Sequence, residues 1–256
     1  MARFFIGSSL KMYFGHKRTL EWVRGVADIC ADHPATTGGT VQFFVIPTFP
    51  SIPGVLDIAA PAGIAVGGQD LHWEDVGPFT GEVSGAELAE LGCTLVEVGH
   101  AERRAMFGET DEIVARKTLA GLRNGLAPVL CIGEAEPGAP AEAGALCIEQ
   151  LESALAPARA SRTGGQLLVA YEPIWAIGAP EPAPPEYVTT VCRALREHVG
   201  GDELFPDSKV IYGGSAGPGL LPRIAADVDG MFLGRFAHDP SAVRRILDEV
   251  NPDSTD

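Results

Sequence analysis

Eight short apolar runs, separated by helical spacing and by turn-rich loops, constrain this chain more than any other feature. The runs are Arg3 to Gly7, Val41 to Ile46, Ile64 to Gly67, Thr94 to Val98, Ala127 to Ile132, Leu167 to Tyr171, Lys209 to Tyr212 and Gly230 to Leu233. Each is too short for a helix and apolar enough to be buried on both faces, as the strands of a parallel sheet are. Between them, Thr19 to Cys30 carries Leu20, Val23, Val26 and Ala27 on one face, and Asp111 to Leu122 and Ala143 to Leu155 repeat that spacing. Pro185 to His198, Pro218 to Ala225 and Pro240 to Val250 each open on proline, which suits the first helical position, and Ser84 with Glu87 reads as a capping box. A strand-then-helix unit repeated eight times predicts an α/β fold, a single-domain (β/α)8 barrel over residues 1–250, with residues 251–256 as a frayed tail. A doubly wound open sheet is the other arrangement this pattern permits. With 46% hydrophobic residues, 256 residues suffice for one large core.

Charge and cysteine usage narrow the function classes. A formal net charge of -15 argues against a nucleic-acid or anionic-membrane surface, so any phosphate must be bound locally. The opening Met1 to Gly7 is interrupted by Lys11 too soon for a secretory leader, and no run is long enough to cross a bilayer. Five cysteines without C-x-x-C spacing suggest neither a disulfide framework nor a metal site, and a reduced, cytoplasmic protein is expected.

In a barrel, chemistry belongs at the C-terminal ends of the strands. Lys11 follows the first run. His100 stands where the fourth run meets a helix, whose N-terminus disfavours imidazolium and leaves a neutral ring able to give or take a proton. Glu172 closes the sixth run and begins Glu172-Pro173-Ile174-Trp175-Ala176-Ile177-Gly178, an apolar flap with an acid at its root. Gly213-Gly214-Ser215 follows the seventh run, where glycines let backbone N–H groups converge on an anion, and Gly234-Arg235 follows the eighth. Taken singly these are a surface lysine, a capping histidine, a satisfied glutamate and tight turns. Together a carboxylate base, a neutral imidazole, a fixed cation and a phosphate cradle suit proton abstraction beside the carbonyl of a small phosphorylated sugar.

The order Lys11, His100, Glu172, Ser215, Gly234, with Gly81-Glu82, Cys131-Ile132-Gly133-Glu134 and the flap, resembles the triosephosphate isomerase family over nearly the whole chain. The resemblance implies an aldose–ketose isomerase of glycolysis and gluconeogenesis that needs no metal or organic cofactor. It implies Glu172 as the base, His100 as the group polarising the carbonyl, and Lys11 as the cation that stabilises the enediolate and pairs with Glu102 when the site is empty. It further implies phosphate binding by the N–H groups of Gly178, Ser215 and Gly234, and a lid from Pro173 to about Ala183. A homodimer follows by the same analogy, with Thr80 crossing the interface to buttress the partner's site.

Several positions depart from the family pattern. Ser9 replaces an asparagine and keeps a hydrogen bond to offer, Ala101 replaces a serine, and the lid tip reads Gly178-Ala179-Pro180-Glu181-Pro182-Ala183, whose prolines stiffen the hinge. Gly234-Arg235 replaces a glycine pair; Arg235 either reaches a phosphate or larger substrate, or pairs with Asp239. With the Asp70 to Asp75 loop, Ser9 and Arg235 resemble a branch of the family that isomerises four-carbon ketose phosphates such as erythrulose phosphates. Triose phosphate is the leading substrate on overall similarity, a tetrulose phosphate the second. A non-catalytic sugar-phosphate-binding protein is a third reading, against which the retained Glu172 counts.

Overall fold

The computed structural model describes residues 2–250; the expected tail at 251–256 lies outside them. Eight strands form a closed parallel barrel in chain order: β1 (Phe4–Ser9), β2 (Val41–Ile46), β3 (Ala65–Gly68), β4 (Leu95–Val98), β5 (Ala127–Ile132), β6 (Leu168–Tyr171), β7 (Lys209–Tyr212) and β8 (Gly230–Leu233), the last pairing back onto β1. Around it lie α1 (His16–Asp32), α2 (Pro34–Thr37), α3 (Ile52–Ala59), α4 (Gly85–Leu91), α5 (Ala101–Phe107), α6 (Asp111–Arg123), α7 (Pro140–Ser161), α8 (Pro185–Val199), α9 (Leu221–Ile224) and α10 (Pro240–Asp248). Closure disposes of the open sheet: every strand finds two neighbours, so no edge is left to cover.

Strand periodicity sorts the apolar residues into two cores. Phe5, Phe44, Ile46, Leu95, Val129, Leu168, Ala170, Ile211 and Phe232 fill the barrel, while Phe4, Ile6, Phe43, Val45, Val96, Val98, Val169 and Tyr171 pack outward beneath the helices. Both faces of each strand are thus dry, which is why the strands read as continuous apolar runs. The inward parity has a consequence for chemistry. Ser9 continues the inward series of Phe5, Glu97 that of Leu95, Glu172 that of Leu168 and Ala170, and Gly213 that of Ile211, so these residues cap the barrel's interior at its C-terminal end.

Helix ends follow their caps. Ser84 accepts from the Glu87 N–H at 3.1 Å and starts α4, which is the N-cap half of the expected capping box. The helix expected from Pro218 to Ala225 is shorter: α9 covers only Leu221–Ile224, because Gly219 sits at φ 90°, a left-handed conformation that no helical turn accommodates. Among the described residues no helix is long and apolar enough to cross a membrane.

Candidate active site

The C-terminal mouth of the barrel encloses a cavity of about 450 Å³ whose lining includes Ser9, Lys11, His100, Glu172, Gly178, Gly213, Ser215, Gly234 and Arg235. Residues from five strand ends and the lid are therefore brought to one place. Thr80 and Gly214 do not line it: Thr80 is exposed on the loop between β3 and α4.

Lys11 adopts φ 46°, an unusual conformation for a residue with a side chain, and Gln69 Nε2 donates to its carbonyl at 2.9 Å. Its ammonium donates to Glu102 Oε1 at 2.8 Å. Burial works to lower the Lys11 pKa, but the hydrogen bond to Glu102 and the charges of Glu102, Glu172 and Glu97 prevail and raise it, so the cation is held firmly.

His100 caps the N-terminus of α5, where its Nδ1 accepts from the Glu102 N–H at 3.1 Å. A ring whose Nδ1 accepts carries its proton on Nε2 when neutral, and Nε2 faces the cavity. Glu172 Oε2 lies 3.7 Å from that nitrogen and is buried with no hydrogen-bond partner. A buried oxygen left unsatisfied is costly unless something arrives to use it.

Glycine makes room for this carboxylate. A Cβ on Gly213 would stand 2.5 Å from Glu172 Oε1, and one on Gly214 would stand 2.5 Å from the Tyr212 hydroxyl. The Gly213 N–H is already committed to the Tyr171 carbonyl at 2.9 Å, so this glycine does not aim a donor at an anion as expected; it opens space. Ser215, at φ 52°, donates its hydroxyl to the carbonyls of Ala176 at 2.8 Å and Ala179 at 3.0 Å, tying β7's loop to the lid.

The segment from Pro173 to Ala183, the expected lid, is anchored at both ends. Glu134 accepts from Tyr171 Oη at 3.1 Å, Trp175 Nε1 at 2.8 Å and Tyr187 Oη at 3.1 Å, and Tyr212 Oη accepts from the Ala183 N–H at 3.0 Å. Arg235 resolves its two alternatives by pointing to the cavity: Nη2 donates to the Gly178 carbonyl at 3.3 Å, while Asp239 accepts instead from Ser241 at the start of α10. Among the described residues Arg235 is not at positive φ, so the turn carries arginine without strain.

Two features escaped the sequence reading. Glu97, 3% exposed, accepts from Ser9 Oγ at 2.8 Å through Oε2, and its Oε1 lies 4.0 Å from His100 Nε2. Burial pushes its pKa up to about 7; His100 opposes the rise, the Glu172 charge adds to it, and Ser9 and Lys11 oppose it. The signal was a carboxylate inside the apolar run Leu95-Val96-Glu97-Val98. The second is a buried ion cluster: Lys117 donates to Asp70 at 2.7 Å and to Glu109, and Arg103 lies 2.8 Å from Asp70. Nothing local marks it, since its members are up to 47 residues apart.

Comparison with known proteins fits this geometry. A family model described as triosephosphate isomerase matches residues 4–250. An L-erythrulose-1-phosphate isomerase of Pectobacterium atrosepticum is 51% identical over 96% of this chain and 95% of its own length, and one of Rhizobium etli is 38% identical over 96% and 92%. A triosephosphate isomerase of Alkalilimnicola ehrlichii is 42% identical over 83% of this chain and 87% of its own. The chain belongs to the triosephosphate isomerase family and is an isomerase of small sugar phosphates.

Proposed function

We propose that this enzyme isomerises L-erythrulose 1-phosphate, by a proton transfer that Glu172 carries out between two neighbouring carbons. The chemistry rests on one observation: the unpartnered Oε2 of Glu172, 3.7 Å from the cavity-facing Nε2 of His100. Glu172 removes the proton from the carbon beside the carbonyl and returns it to the adjacent carbon. His100 polarises the carbonyl through Nε2–H and moves protons between the two oxygens, and Lys11 stabilises the enediolate. The backbone of Gly178, Ser215 and Gly234, with the Arg235 guanidinium, binds the phosphate, and the lid keeps water from the intermediate.

L-erythrulose 1-phosphate is dihydroxyacetone phosphate with a hydroxymethyl group on the carbon that loses the proton. The same transfer, from carbon 3 to carbon 2, moves the carbonyl to carbon 3 and yields another ketose phosphate, whereas the triose substrate yields an aldose. The higher identity to the Pectobacterium enzyme, over nearly the full length of both chains, favours the four-carbon substrate. Ser9, smaller than the residue usual in the family and lining both cavities of the mouth, agrees with a larger substrate, whereas Ala101 lines neither and makes no room there.

A homodimer completes the reading. A second cavity of about 530 Å³ borders Lys11, and Met12, Tyr13, Met106 and Phe107, all substantially exposed, stand among its lining residues. The exposed apolar rim of this cavity, apart from the buried Ser9 and Glu97, suits the loop between β3 and α4 of a second copy, carrying Thr80 and the exposed Val76 and Phe79. A cytoplasmic location is supported by five unpaired thiols, all buried.

The test is kcat/KM for L-erythrulose 1-phosphate, its enantiomer and dihydroxyacetone phosphate, measured side by side. A preference for L-erythrulose 1-phosphate is expected. Preferred turnover of dihydroxyacetone phosphate would make this a triosephosphate isomerase with an altered mouth, and inertness toward all three would favour a binding protein.

A further inference from the structure

The proton transfer described above uses Glu172, His100 and Lys11. It does not use Glu97, yet Glu97 stands among them. It is an inward-facing residue of β4, directly above Leu95 in a barrel interior otherwise filled by apolar side chains. One oxygen is held by the Ser9 hydroxyl at 2.8 Å; the other is 4.0 Å from His100 Nε2, beyond hydrogen-bond reach. A carboxyl buried in such a place is retained against a desolvation cost, and a structural role would be met by pairing it with a cation. Lys11 is close enough to act on its charge but is itself bonded to Glu102.

Position assigns the use. Ser9 and His100 line both the phosphate-side cavity and the second cavity, and Glu97 lines only the second. A substrate whose phosphate lies by Gly178, Ser215 and Arg235, and whose reacting carbons lie between Glu172 and His100, directs any further carbon away from the phosphate. That direction leads to the second cavity, where Gln69, Asp70, Glu102 and Arg103 also stand but Ser9 and Glu97 are the two polar lining residues carried on barrel strands and so form its floor. We infer that Glu97, with the Ser9 hydroxyl it holds, is the specificity element that receives the terminal hydroxymethyl group of a four-carbon ketose phosphate. This rests on the four-carbon reading above. A triose phosphate lacks that group and leaves the floor unfilled.

The charged and titratable groups facing Glu97 are Lys11 after β1, His100 after β4, Cys131 on β5 and Glu172 after β6. Burial in the barrel interior, with the Glu172 carboxylate nearby, disfavours a charged carboxylate at Glu97. Glu97 is then able to carry a proton and donate it to the substrate hydroxyl, while Ser9, whose own proton goes to Glu97 Oε2, accepts the second hydrogen bond.

The experiment compares wild type with Glu97→Gln and Glu97→Leu in two readouts. The first is the ratio of kcat/KM for L-erythrulose 1-phosphate to that for dihydroxyacetone phosphate. Glu97→Leu is expected to lower this ratio by roughly 30-fold or more, because a hydroxyl brought into an apolar floor loses its partner, and Glu97→Gln by less than about tenfold, because the amide still donates and accepts. The second readout needs no turnover: calorimetric binding of erythritol 1-phosphate against glycerol 3-phosphate. Wild type should prefer the four-carbon ligand, Glu97→Leu should lose the preference, and Glu97→Gln should keep part of it.

An unchanged ratio in Glu97→Leu, or equal losses on both substrates, would overturn the inference and make Glu97 a support for His100 or for the fold. So would the absence of any four-carbon preference in wild-type binding. Failure of the four-carbon reading looks different: wild type would then turn over dihydroxyacetone phosphate and leave L-erythrulose 1-phosphate untouched, whatever the variants do. Circular dichroism of both variants establishes that they are folded before either ratio is read.

Discussion

Two sets of buried carboxylates lie near the mouth of this barrel, and they are treated in opposite ways. Asp70 and Glu109 are packed around Lys117 and Arg103, which bolts the loop after β3 to α5 and α6. Glu97 and Glu172 pair with neither Lys nor Arg among the described residues; the basic side chain nearest both is His100, at 4.0 and 3.7 Å. In the first set attraction offsets much of the desolvation. Asp70 is still pushed up to about 6 by burial against the pull of Lys117, while Glu109, despite burial, is held low by Lys117 and Arg103. In the second set no Lys or Arg bond offsets it. The difference teaches where the fold is being held together and where it is being kept ready for a substrate.

The largest expected effect lies in the unpaired set. Glu172→Gln removes the base and should lower kcat by at least ~10³-fold while phosphate-ligand binding and folding stay near wild type. A variant that is folded but no longer binds glycerol 3-phosphate would show that Glu172 holds the ligand rather than its proton.

In the paired set the effect should fall on stability. Lys117→Met leaves Asp70 and Glu109 to share the partly exposed Arg103 and should cost about 3–5 kcal/mol in urea unfolding, with kcat/KM of the folded fraction changing far less than in Glu172→Gln. A loss of activity without a loss of stability would erase the contrast.

Glu97 should show the reverse sign. Its pKa rises on folding from 4.5 to about 7, so the native state binds the proton more tightly than the unfolded chain does. Wild-type stability therefore falls as pH rises through that window, by about 3 kcal/mol in all. Glu97→Gln lacks this slope, and its advantage should grow from near zero at pH 4.5 to as much as about 3 kcal/mol at pH 8. A variant less stable than wild type at pH 8 would make Glu97 a structural group after all.

The smallest effect should come from Arg235→Gly. Arg235 donates to the Gly178 carbonyl and, in the proposed reading, binds the phosphate that both substrates share, so KM should rise by roughly three- to tenfold for each, with little change in their ratio. A selective change would move substrate choice from the floor at Glu97 to the phosphate turn.

Much of the molecule was legible without coordinates. Strand runs buried on both faces, helix caps and proline entries are local properties, so the barrel and the approximate place of every strand follow from short stretches of chain. Lys11, His100 and Glu172 were legible because a strand's C-terminal end is marked by the loop residues that follow it. The tertiary structure alone decided what depends on closure. Ring closure sets the inward parity that brings Ser9 of β1 against Glu97 of β4, 88 residues away. It also decided that Gly213 makes room for Glu172 rather than offering a donor, that Arg235 turns to the lid rather than to Asp239, and that Asp70, Glu109 and Lys117 meet. Electrostatics in a dry interior depend on distances between residues remote in sequence, and those distances exist only once the barrel has closed.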